Sequence, residues 1–145
     1  MAFISGFGLQ VRIVALPAFP KGFDITQFPD DSDPIEVQDL QIADAAMGLN
    51  GDLMSWTQAQ PIELSLSVFP NQEDDKNLAQ LLESNRAGRM KIATEDSITL
   101  IVTYPDGKTT TFLNGIITGG TPMTGSTSSG RLKTKTYTFK FENKI

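Results

Sequence analysis

The chain has 145 residues, a net charge of −5, no Cys and no His. That length holds one domain with a real core, and 39% hydrophobic with 20% charged residues excludes a disordered chain. The missing cysteines exclude disulfides and thiolate chemistry, and the missing histidines remove the commonest general base and the commonest metal ligand.

The opening MAFISGFGLQVRIV has no basic n-region and no unbroken apolar run. Neither a signal peptide nor a transmembrane span is expected there. Phe7, Leu9, Val11 and Ile13 alternate with Gly8, Gln10 and Arg12, which predicts a strand with one buried face. LPAFPKGFDITQFPDDSDP follows, with four prolines, and predicts a long loop over about residues 16–34. Ile35/Val37 and Leu40/Ile42 are out of phase, and a β-bulge near Gln38-Asp39 would restore one face. Asn50-Gly51, between Ile42–Leu49 and Asp52–Trp56, predicts a hairpin with a type I′ turn. Trp56, the single tryptophan, reads as a core residue or an interface anchor.

Ile62, Leu64, Leu66 and Val68 alternate with Glu63, Ser65 and Ser67 and predict another strand. PNQEDDKNLAQLLESNRAG then predicts the one helix, over about residues 72–87. Asn71 is its expected N-cap, Glu73, Asp74 and Asp75 suit the positive end of its dipole, and Leu78, Leu81 and Leu82 make one apolar stripe. Arg86 and Gly88 mark its end. Ile98, Leu100, Val102 and Tyr104 form a strand that Pro105-Asp106-Gly107-Lys108 joins to Thr109–Leu113 as a second hairpin. TGGTPMTGSTSSG has little to bury and predicts a second long loop, over about residues 118–131. A final strand carries Tyr137, Phe139 and Phe141 on one face. The fold class is mainly β: a single domain over residues 1–145, an antiparallel β-barrel or sandwich with one flanking helix.

No chemistry-bearing constellation emerges. Asp30, Asp31 and Asp33 lie in DDSDP, which fails the EF-hand pattern for Gly and Glu and reads as a solvated acidic loop. No nucleophile elbow, P-loop or dinucleotide fingerprint is present, so no enzyme, metal or cofactor is expected. Arg131, Lys133, Lys135, Lys140 and Lys144 interleave with aromatics as in a nucleic-acid stacking platform. Against that, aromatics at period two on a terminal strand belong to a core, and the pI is 4.6.

The charge is unevenly spread. Residues 1–75 carry 2 basic and 12 acidic groups, whereas residues 76–145 carry 10 basic and 5 acidic groups. An acidic and a basic face would steer copies of the chain together head to tail. Asp30, Asp31 and Asp33 on one side, with Arg131, Lys133 and Lys135 on the other, are the expected inter-subunit contacts.

The order of these elements resembles the tail-tube superfamily of contractile bacteriophages and the related type VI secretion tube proteins. The stretches that carry the resemblance are ADAAMGLNGDLMSWTQAQPIELSLSVFPNQEDDKNLAQLLESNRAG and GRLKTKTYTFKFEN. The resemblance implies a virion protein, assembled in the host cytoplasm, whose copies form a hexameric ring of the tail tube or of the tube–baseplate junction. Its implied partners are itself and other tail, sheath or baseplate proteins, with DNA only as non-specific cargo in the lumen. A connector linking tube to sheath or baseplate is an alternative. A β-sandwich module of a tail fibre, binding a receptor or carbohydrate, is an alternative of another class.

Overall fold

A computed structural model describes residues 8–26, 28–29, 33–123, 125–126, 128 and 130–145. Among the described residues nine strands and one helix follow in chain order: β1 (Gln10–Leu16), β2 (Phe19–Ile25), β3 (Ile35–Val37), β4 (Ala43–Met47), β5 (Leu53–Thr57), β6 (Ile62–Val68), α1 (Glu73–Asn85), β7 (Ser97–Thr103), β8 (Thr109–Gly120) and β9 (Lys135–Lys144). Seven strands form one antiparallel sheet in the order β2-β1-β7-β8-β9-β6-β3, and β4 with β5 forms a separate ladder. The large sheet is not a closed barrel; β2 and β3 are its edges.

Period two explains which face is buried. Val11, Ile13 and Ala15, then Ile98, Leu100 and Val102, then Tyr137, Phe139 and Phe141, then Ile62, Leu64 and Leu66 all point to the core. Leu78 and Leu81 of α1 complete it, and Leu82 packs against its rim. Full burial stabilises each such side chain by about 1.5–3 kcal/mol, so this one face dominates the stability of the domain. Phe112 and Phe141 meet at a ring distance of 5.3 Å. Gly115 sits opposite Phe141, where any Cβ would lie 2.2 Å from the ring, so the residue must be glycine for the phenyl to lie flat on β8.

The segment expected to be a loop over residues 16–34 contains β2, paired with β1 from Val11↔Ile25 to Ala15↔Phe19. Pro20 is tolerated in it because an edge strand can leave one side without a donor. The bulge expected near Gln38-Asp39 does not join one strand across residues 35–42. Ile35–Val37 instead completes the large sheet against β6, and the chain leaves that sheet before β4 begins. Each half of the out-of-phase pattern thus serves a different surface. Strand β8 runs to Gly120, so the second long loop begins later than expected.

Both hairpins use a three-residue turn with a glycine bulge. Gly48 N–H donates to Asp52 O at 2.7 Å and Gly51 N–H to Gly48 O at 3.0 Å. Tyr104, Gly107 and Lys108 repeat that pattern. Only the glycines, Gly51 at φ 91° and Gly107 at φ 92°, are left-handed. The Asn50-Gly51 hairpin is therefore present without the type I′ turn, which needs positive φ at two successive residues.

Helix α1 is pinned by its acids. The N-cap is Gln72, which makes no side-chain cap bond, and not Asn71. Asn71 adopts φ 61° and its N–H donates to Asp75 Oδ2 at 3.0 Å. Thr26 N–H donates to Asp74 Oδ2 at 2.8 Å, tying the helix to the end of β2. Asp75 also accepts from the Tyr137 hydroxyl at 2.8 Å and pairs with Lys135 at 3.2 Å, all three being buried. At the other end Asn85 and Asp96 exchange two bonds of 2.8 Å, and Ala18 N–H donates to Asp96 Oδ1 at 3.3 Å.

Candidate assembly surface

The β4–β5 hairpin leaves the domain between Ile42 and Gln58, closed at its root by Gln58 N–H donating to Ile42 O at 2.9 Å. All ten of its strand residues are exposed. Its register sets Ala43/Thr57, Ala45/Ser55 and Met47/Leu53 on one face and Asp44/Trp56 and Ala46/Met54 on the other. Both faces therefore carry large apolar groups. Leu53 and Met54, adjacent in sequence and on opposite faces, are 67% and 64% exposed. An isolated two-stranded hairpin is marginal in water, and bare apolar area of this kind marks an interaction site.

Trp56 is half-exposed, so of its two readings the core one fails. The sequence shows that this hairpin has apolar residues on both faces. Core strands β6 and β9 keep apolar residues two apart, whereas Ala45-Ala46-Met47 and Leu53-Met54 run adjacent and cannot share one face.

The outer face of the large sheet is hydroxyl-rich. Ser67 and Thr136 share a hydrogen bond of 3.1 Å, Thr118 reaches the Thr138 hydroxyl at 3.3 Å, and Lys140 pairs with Glu63 at 3.2 Å. A groove of about 420 Å³ opens beside it, lined by Ala59, Pro61, Ile116 and Phe141 among others. Among the described residues no group of His, Cys, Asp and Glu could hold a metal ion. No helix among them is long and apolar enough to cross a membrane.

The charged contacts expected from the sequence are dispersed. Asp30 and Asp31 lie outside the described residues, and Asp33 is exposed just before β3. Arg131 is exposed with its guanidinium 5.4 Å from the centre of the Phe69 ring, a cation–π contact within the same chain. Lys133 is exposed, and its N–H donates to Gly125 O at 2.8 Å. Lys135 is a correction: it points inward, is 5% exposed and is paired with Asp75, so it cannot reach a neighbouring copy. Tyr137, on the same face, has its hydroxyl pKa raised by burial and then by the hydrogen bond and charge of Asp75.

Residues 2–145 match the family described as Tail fiber protein gp32. The chain belongs to that family. No curated protein matches it in sequence. Among solved structures, the domain is similar to a chain of the anti-feeding prophage baseplate, solved with six-fold symmetrisation, with a TM-score of 0.63 and 12% identity over 100% of this chain and 95% of that one. It is similar to a chain of the sheath/tube terminator of an extracellular contractile injection system (TM-score 0.58, 15% identity, 100% and 96% covered). It is also similar to the tube-terminating cap of the anti-feeding prophage (TM-score 0.53, 15% identity, 100% and 91% covered). The gp32 family member thus has the fold found in these contractile-tail components.

Proposed function

We propose that this tail protein is a structural component that closes with copies of itself into a hexameric ring, at the tail tube or at its junction with the baseplate. The observation that carries the reading is the β4–β5 hairpin, bare and apolar on both faces, on a domain whose own core is already complete. A projecting element with two apolar faces fits a heterologous interface, which closes into a ring when the rotation allows. The fold likeness to tube-terminating, cap and baseplate proteins supports the same assignment. DNA would cross the lumen as non-specific cargo, the other partners would be tube, sheath or baseplate proteins, and the protein would act in the virion after assembly in the host cytoplasm. It would do no catalysis. Asp33, Arg131 and Lys133 remain candidates for charged contacts between copies, because all three are exposed. Negative-stain imaging of the concentrated protein tests this. Rings with a central opening are the expected result; particles of single-domain size at every concentration would refute ring formation.

The family description favours a second reading, a tail-fibre component that binds a receptor or carbohydrate or joins a fibre to the tail. A monomer that adsorbs to host cells or pulls down a fibre protein, without forming rings, would select it.

A further inference from the structure

A second apolar projection lies at the other end of the strands. After α1 the chain makes a tight turn in which Gly88 and Lys91 exchange backbone bonds of 3.2 and 3.1 Å. Met90, at its corner, has φ 60°, an uncommon conformation for a residue with a side chain. Met90 is 100% exposed and Ile92 is 92% exposed. The turn is braced from below. The Lys91 ammonium donates to the Glu83 and Arg86 carbonyls, satisfying orphan groups at the helix end, and Arg86 makes two hydrogen bonds to the Glu83 carboxylate at 3.1 and 2.8 Å. A corner held this way, with two apolar side chains facing water, is a projecting knob.

The knob and the hairpin are complementary in sign and separate in position. Arg86 and Lys91 are both paired with Glu83, so Arg89 is the cation the knob offers a partner, whereas residues 39–59 carry Asp39, Asp44 and Asp52 and no base. The knob leads into Ser97 at the start of β7. The hairpin root lies by a groove shared by Leu40, Thr110 and Lys144, and Thr110 pairs with Val102 near the end of β7. Along β7 these points are roughly 17 Å apart, at about 3.3 Å per residue. The two surfaces therefore belong to opposite ends and suit a head-to-tail contact between chains.

We infer that the Met90/Ile92 knob of one copy docks on the Trp56 face of the β4–β5 hairpin of the next copy. Ala46 is the small residue on that face, between Met54 across the ladder and Asp44 beside Trp56. It leaves room for Met90, while Arg89 meets Asp44 and the Trp56 ring. This names the contact for the self-assembly proposed above and rests on that reading.

The chain has no cysteine, so two single-cysteine variants can be mixed cleanly. Met90→Cys with Ala46→Cys is expected to form a disulfide-linked pair under mild oxidation, and Met90→Cys with Ala45→Cys, on the opposite face, far less. Equal yields, or no cross-link in either mixture, would overturn the docking. Charge reversal supplies a second readout. Arg89→Glu is expected to weaken self-association on the order of tenfold, and Asp44→Lys in the same chain to restore it. Rings that persist unchanged in Met90→Asp/Ile92→Asp overturn the knob and leave ring formation standing. A wild-type chain that never self-associates overturns both.

Discussion

Lys135, Tyr137 and Asp75 show how a residue's face decides its use. Lys135 has the same parity as Tyr137, Phe139 and Phe141, so the strand that buries the rings buries the lysine too. Its partner could not be read in advance, because Asp75 lies on a helix whose approach to the sheet is a tertiary fact. Lys135→Met is expected to cost about 3–5 kcal/mol, because it leaves Asp75 charged and buried without a counter-charge. Tyr137→Phe is expected to cost about 1–3 kcal/mol through one lost bond to the same carboxylate. Urea unfolding measures both, and equal stability of Lys135→Met and wild type would show that the pair is not holding α1. Gly115→Ala drives a methyl into the Phe141 ring and is expected to cost about 1–3 kcal/mol, read from the same curves. At the knob, the Arg86 hydrogen bonds hold the Glu83 carboxyl down at about 2, with lesser help from Lys91. Its folded pKa is below the unfolded value, so its contribution is full above the ordinary carboxylate range. It is lost as pH falls from about 4.5 toward 2. Glu83 is exposed, so the effect on global stability is small. An NMR titration is expected to show Glu83 ionised at pH 3.5.

At the scale of elements, strands with strict alternation were the most legible, because period two on one buried face leaves few other solutions. Strands β1, β6, β7 and β9 and helix α1 lie within a few residues of their expected spans. Strand β2 was hidden by Pro17 and Pro20, which read as loop signals unless the strand is known to be an edge. The hairpin was legible as a hairpin, but its exposure was not: β4 and β5 have apolar residues on both faces, which reads as burial in a single chain and as an interface in an assembly. Met90 and Ile92 carried no periodic signal, and their exposure follows from the turn geometry. Since the hairpin makes its own ladder, Met54→Ser/Trp56→Ser is expected to leave the unfolding midpoint nearly unchanged while abolishing assembly. Circular dichroism melts beside sedimentation velocity check this; a large loss of stability would mean that the hairpin supports the domain itself.

At the scale of the molecule, the large sheet and helix form a self-sufficient core, and the apolar and charged features outside it point away from that core. The acidic first half and basic second half imply that assembly weakens with salt, since exposed charges are screened beyond roughly 10 Å at 0.1 M. Lys133→Glu is expected to weaken it further. Sedimentation in low and high salt reads both, and insensitivity to each would remove electrostatics from the assembly while leaving the apolar hairpin. Native mass spectrometry of the wild type beside Met54→Ser/Trp56→Ser, over a rising concentration series, tests the central claim most directly. The expected result, on the proposed function, is one discrete closed oligomer from the wild type and monomer from the variant. Monomer from both, or the same oligomer from both, would contradict it.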